Sequence, residues 1–295
     1  MAENRQGTAE SRSRRDPALA RQTTNLALAA WDLAQRRKGR QDNARGHLIT
    51  LRAHQRLVAS FERERNIPQA DRSRFLLRSD ARGCCLLIHG ISTGPDDLAE
   101  LGDRLHDDGW DVYIMRLPGY GRGDSTLSDN SWESYLNQVT QCYRLLAGGP
   151  GKVHVVGLGY GATLALLLSK REKPASLTLL APALIARESF FQRLLIRLRL
   201  NRLAFVRRWL GWSAGLVEGM DRARGCVGQA KVPIFAAQCE DDESASPDSL
   251  RFLQRKARHG ASRLRLFPEG GHAILASHGE GTLYEGIIEF INADD

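Results

Sequence analysis

The sequence predicts the α/β class: a mostly parallel sheet with helices on both faces. Two patterns predict it. From Arg74 onward, short apolar runs alternate with amphipathic stretches of helical length. The runs are apolar throughout rather than at every second residue, as strands buried on both faces require. Length and composition agree, because 295 residues, 42% of them hydrophobic, supply a core for one large domain plus an appendage.

Taken in order, residues 1–17 are polar and are expected to form a disordered tail. They contain no apolar stretch of the kind a secretory signal needs, and their acidic residues argue against a transit peptide. Residues 18–72 read as a basic helical extension. Its first helix is predicted from Pro17 to about Arg37, with Leu26, Ala30, Leu33 and Ala34 on one stripe; its second runs from Ala44 to about Glu64. There Leu51, His54, Val58 and Phe61 recur at helical spacing while Arg52, Arg56 and Arg63 fall elsewhere. A helical hairpin packed on the main domain, or a docking module, fits this pattern, and nothing in it suggests chemistry.

The main domain is predicted over 73–295. Its strands are expected at 75–78, 84–89, 111–116, 153–156, 176–181, 232–238 and 263–267, and its helices at about 96–108, 131–147, 161–171, 247–258 and 279–292. One segment breaks the alternation: 183–230 contains no good strand. Within it Phe191, Leu194, Leu195 and Leu198 form a stripe that Arg193, Arg197 and Arg199 avoid. An insertion of this kind after a strand suits a helical cap over a cleft.

The net charge of +8 is uneven. Residues 1–82 carry about +9, residues 187–231 about +7, and the remainder about −8. An acidic protein or an anionic membrane surface would suit such segments, as would solvated arginine faces, the plainer reading; nucleic acid is disfavoured. Five cysteines, Cys84, Cys85, Cys142, Cys226 and Cys239, show no C-x-x-C pair, so neither zinc nor a dithiol site is indicated. Free buried thiols fit a cytoplasmic protein, peripheral at a membrane if the basic segments are used. No apolar run is long enough to span a bilayer. No cofactor or metal is expected.

Three motifs, the last a pair of stretches, carry the chemistry. "LLIHGISTGP" (86–95) ends a strand. "KVHVVGLGYGATLALLL" (152–168) joins a strand to a helix through Gly157-Leu158-Gly159-Tyr160-Gly161, the layout of a G-x-S-x-G turn with glycine in the middle. "VPIFAAQCEDDESASPDS" (232–249) puts Asp241 and Asp242 after a strand, and "FPEGGHAIL" (267–275) puts His272 in a loop after another. Each alone has a bland reading; their order gives them weight. A competing reading takes Gly157, Gly159 and Ala162 as the dinucleotide pattern G-x-G-x-x-[G/A], with a phosphate at the helix N-terminus. The next strand, "SLTLLAPA", lacks the acidic residue that would bind a ribose.

In these motifs, residues 74–292 resemble the α/β-hydrolase superfamily, and most of all its carboxylesterase and monoacylglycerol-lipase branch. The resemblance implies an α/β-hydrolase fold and acyl ester or carboxylate ligands. It implies that His89 and Gly90 shape the loop after the first motif's strand, and that the Ile91 and Tyr160 N–H groups form an oxyanion hole. It implies Asp242 and His272 as the acid–base pair and Gly159 at the nucleophile's place, where the family keeps a serine. "RLPGYGRGDS" (116–125) resembles the loop that lines the cleft entrance. Glycine tolerates the positive φ of that turn, so the bend is expected to survive. Ser92, Thr93 and Thr163 are the nearby hydroxyls, and none stands where the turn would present a nucleophile. What remains is a serine-independent enzyme, a pseudoenzyme that binds acyl ligands or partners, or a serine hydrolase whose nucleophile has been exchanged.

Overall fold

The computed structural model describes residues 44–121, 131–185, 198 and 214–293. The predicted disordered tail, the 17–37 helix, the arginine-lined stripe around Phe191 and the end of the 116–125 loop lie outside the described residues.

Helix α1 (Ala44–Glu64) comes first, followed by β1 (Arg74–Leu76), β2 (Gly83–Ile88), α2 (Ala99–Asp107) and β3 (Asp111–Met115). Then come α3 (Trp132–Leu146), β4 (Lys152–Leu158), α4 (Tyr160–Leu168), β5 (Leu177–Leu180) and α5 (Ala214–Val227). The chain closes with β6 (Ile234–Cys239), α6 (Asp248–Lys256), β7 (Arg263–Phe267), α7 (Ile274–His278) and α8 (Tyr284–Asn292). The strand expected at 75–78 begins and ends earlier, because Arg78 leaves the ladder and its N–H donates to the Asp111 carboxylate at 2.8 Å. The helix expected over 279–292 is broken: Gly281 departs from helical backbone angles, which separates α7 from α8.

The seven strands lie in the order β1-β3-β2-β4-β5-β6-β7. β1 runs antiparallel to β3, and every other pair is parallel. β2 through β6 are mostly apolar because both faces are covered. One face packs α3, α4 and α5 against Leu86, Val155 and Leu177, and the other packs α2 and α8 against Leu87, Val156 and Phe235. Truncating such a side chain, for example Leu86→Ala, would cost about 2–5 kcal/mol. The order also locates a cleft. The chain builds outward from β2 to β3, then crosses back to lay β4 on the other side of β2. Loops that leave β2 and β4 therefore diverge, and ligands in open α/β sheets bind where this happens.

Helix α1 is fastened to this domain by a buried ion pair. Glu62, 2% exposed, accepts from Arg116 Nε at 3.0 Å and from the Ser73 N–H and hydroxyl. Leu51 sits in the same core as Leu86 and Tyr113. The arginines singled out by periodicity, Arg52, Arg56 and Arg63, lie on the exposed face.

Candidate active site

The turn after β4 keeps its shape without a serine. Gly159 has φ 59° and ψ −118°, a conformation that a side chain adopts only under strain. Neighbouring β5 and the segment just after it fix the turn. The Gly159 N–H donates to the Leu180 carbonyl at 2.8 Å, and its own carbonyl accepts from the Ala183 N–H at 3.1 Å. Helix α4 starts at the next residue, so the Tyr160 N–H stands in the first turn, where no intrahelical acceptor exists. The Tyr160 ring is buried and its hydroxyl donates to the Leu216 carbonyl at 3.2 Å, tying the turn to α5.

The loop after β2 comes close to this turn. A Cβ on Gly90 would lie 3.3 Å from the Tyr160 nitrogen, so only glycine lets the loop approach so far. His89 is fully buried and both ring nitrogens are engaged. Nδ1–H donates to the Gly90 carbonyl at 2.7 Å, and Nε2 accepts from the Leu117 N–H at 2.9 Å. That pattern assigns the neutral tautomer with the proton on Nδ1. Burial pushes its pKa down to about 4, which keeps the ring uncharged. His89 thus braces the loop and has no nitrogen left for a ligand. Thr93 adds a second brace, its hydroxyl accepting from the Gly90 N–H at 2.7 Å. Ile91 follows, half-buried, on the rim.

Asp242 and His272, thirty residues apart in sequence, meet above the turn. Asp242 is 0% exposed and its two oxygens lie 3.1 and 3.0 Å from His272 Nδ1. The Ser244 and Ala245 N–H groups also donate to it, each at 2.9 Å. Burial pushes the carboxyl up. The His272 hydrogen bond and the two backbone donors outweigh burial and hold it below the ordinary carboxylate value. A carboxylate on Nδ1 fixes the proton there and leaves the Nε2 lone pair free. A Cβ built on Gly159 would lie 3.1 Å from that Nε2 and 3.7 Å from the Gly90 Cα. The turn, the β2 loop and the imidazole therefore converge on one point.

The rival hydroxyls are otherwise employed. Thr163 Oγ1 donates to the Ala183 carbonyl at 2.7 Å, Thr93 braces Gly90, and Ser92 is exposed. Sequence reasoning missed several supports. Gln238, a lone polar residue in the apolar strand Ile234–Cys239, donates from Nε2 to the Ala245 and Ser246 carbonyls and reaches Asp242 at 3.4 Å. Its polarity in that strand was the available signal. Tyr120 packs against His89 at a tilt, with ring centroids 4.6 Å apart and planes inclined by 56°, and Arg116 Nη1 donates to the Tyr120 carbonyl at 2.9 Å. Among the described residues no cluster of His, Cys, Asp or Glu could hold a metal ion, and all five cysteines are buried free thiols. Nor is any helix among them long and apolar enough to cross a membrane.

A largely parallel sheet in this order, with a tight strand–turn–helix after β4 and a His–Asp contact supplied by later loops, defines an α/β-hydrolase-fold protein. The chain belongs to the alpha/beta hydrolase family, whose model matches residues 85–283. Helix α1 and β1 lie outside that match. Solved structures agree on the fold. One from the metagenome-derived lipolytic enzymes LipS and LipT aligns at 15% identity and a TM-score of 0.67, covering 77% of this chain and 99% of that one. The monoacylglycerol lipase of Paleococcus ferrophilus aligns at 17% identity and 0.64, covering 76% and 98%. A soluble variant of the Saccharomyces cerevisiae monoglyceride lipase, bound to a substrate analogue, aligns at 15% and 0.58, covering 76% and 91%.

Proposed function

We propose that this chain is a carboxylic-ester hydrolase that works without a serine nucleophile. The observation that supports it is the His272 imidazole, bound to Asp242 through Nδ1 and turned so that Nε2 faces the bare backbone of Gly159. The Ile91 and Tyr160 N–H groups would receive the oxygen of an acyl carbonyl, aided by the positive end of α4. His272 would take a proton from a water beside Gly159, the water would attack the carbonyl carbon, and the imidazolium would return the proton to the departing alkoxide. Asp242 would keep the tautomer and stabilise the imidazolium. No acyl-enzyme forms on this route.

Hydrolysis of a panel of 4-nitrophenyl esters and monoacylglycerols tests this. The expected result is slow turnover with no initial burst, reduced by about 10²–10⁴-fold in His272→Ala. Turnover that ignores His272 would overturn it. Stabilisation by fatty acids with no turnover at all would return the chain to a non-catalytic acyl-binding role.

A second reading concerns location. Exposed Ile49 and Leu57 lie beside exposed Arg52 and Arg56 on α1, which favours contact with an anionic membrane surface. Salt-sensitive co-sedimentation with phosphatidylserine vesicles, absent with phosphatidylcholine, is expected; binding to neither vesicle removes the idea.

A further inference from the structure

The two adjacent aspartates after β6 hold His272 from different sides. Asp242 takes the imidazole. Asp241 takes the main chain just before it: the Gly270 N–H donates to Oδ2 at 3.1 Å and the Gly271 N–H to Oδ1 at 2.8 Å. Gly270 and Gly271 have φ of 128° and 66°. Two successive left-handed glycines turn neighbouring N–H groups toward one side, a concavity suited to an anion, and the Asp241 carboxylate fills it. Those hydrogen bonds, Gly271 first and Gly270 second, hold the Asp241 carboxyl below its ordinary value, so it stays ionised.

The rest of the loop is held through its carbonyls. Ser277 Oγ donates to the Gly270 carbonyl at 2.8 Å, and His278, stacked on Phe267, meets the Glu269 carbonyl through Nε2 at 2.6 Å. These contacts fix carbonyls upstream of His272. Asp241 is the group that fixes the two N–H groups leading into it, and it does so from the same backbone turn that carries Asp242.

We infer that Asp241 is a positioning residue for His272: its carboxylate clamps the Gly270–Gly271 main chain so that Nδ1 stays on Asp242 and Nε2 stays over Gly159. This deepens the proposed function, because it concerns the same imidazole, yet it stands on contacts that exist without substrate. The clamp is solvent-exposed, so its loss lowers global stability little while releasing the ring. A misplacement of about 1 Å at a reacting group can cost about 10²-fold in rate.

The test uses the full chain with Gly159 in place, carrying Asp241→Ala or Asp241→Asn. Hydrogen exchange of the 268–273 segment and the far-downfield Nδ1 proton of His272 are read alongside the melting temperature. Expected in Asp241→Ala are faster exchange at Gly270 and Gly271, loss or broadening of the His272 proton, and a melting temperature close to the parent. Asp241→Asn, whose amide oxygen still accepts, should recover part of both signals. Unchanged exchange in Asp241→Ala would overturn the inference, even where the downfield proton is too broad to follow. In the Gly159→Ser background, Asp241→Ala should slow fluorophosphonate labelling by about 10²-fold. Absence of labelling in Gly159→Ser itself counts against the proposed function alone, since the clamp is read in the glycine protein.

Discussion

Introducing a hydroxyl at residue 159 asks the most of this geometry. Gly159→Ser places a side chain at φ 59° and ψ −118°, which costs about 1–3 kcal/mol in backbone strain. Its Cβ would start 3.1 Å from His272 Nε2, tighter than ordinary packing, so the ring must retreat by a few tenths of an ångström. That small retreat leaves room for the serine oxygen to hydrogen-bond to Nε2. Two variants separate strain from chemistry. Gly159→Ala carries the same Cβ and the same strain without a nucleophile, so both variants should lose similar stability in urea unfolding, about 1–3 kcal/mol. Only the serine form should react with a fluorophosphonate, gaining one covalent adduct by intact mass. Adding His272→Ala should slow that labelling by about 10²–10⁴-fold, the usual contribution of a general base. A folded Gly159→Ser protein that stays unlabelled, or labels equally fast without His272, would refute the reasoning that the loop after β2, the turn and the imidazole form one assembled site.

Two further outcomes follow from buried groups. Glu62→Gln should destabilise the protein by about 3–5 kcal/mol in urea unfolding, because Arg116 would remain charged in a site where it is 9% exposed; pairing Glu62→Leu with Arg116→Met should recover most of that. Full stability in the single variant would show that the pair is dispensable. His54 is 4% exposed, its ring nitrogens find no hydrogen-bond partner among the described residues, and burial pushes its pKa down to about 4. The unfolded chain then binds the proton first, so stability is full above the unfolded value near 6.5 and is lost as pH falls toward 4, by about 3 kcal/mol across that window. His54→Phe, between Phe75 and Tyr113, should flatten this acid limb and be neutral or stabilising at pH 7; an unaltered pH slope would contradict the assignment.

The site was legible where local chemistry is written into short stretches. The glycines around residue 159 announce a tight strand-to-helix turn, since no side chain fits the close approaches at Gly157 and Gly161. The single histidine after Gly270-Gly271 and the acid after the apolar strand 234–239 announce polar groups placed at strand ends. What those stretches do not carry is their neighbours. His89 was read with the oxyanion loop, and in the fold its two nitrogens are taken by the Gly90 carbonyl and the Leu117 N–H, a residue from another strand's loop. Gln238 and Asp241 looked like ordinary polar residues because their partners lie several residues away or across the sheet edge. Helix α1 read as part of a basic extension, either packed on the main domain or a docking module. Its Glu62 proves to be one half of a buried pair whose other half leaves β3 and reaches the Tyr120 carbonyl beside His89.

The sequence by itself determined the class of fold, the bend and the absence of a side chain to attack with. Periodicity and glycine placement act over a few residues, and they survive without knowledge of the rest of the chain. The tertiary structure alone decided that the imidazole approaches that bend, which face of it is free, and which groups hold it there. Those facts depend on strand order bringing the ends of β2, β4, β6 and β7 to one edge, and distances of about 3 Å between residues far apart in the chain exist only once that packing is complete.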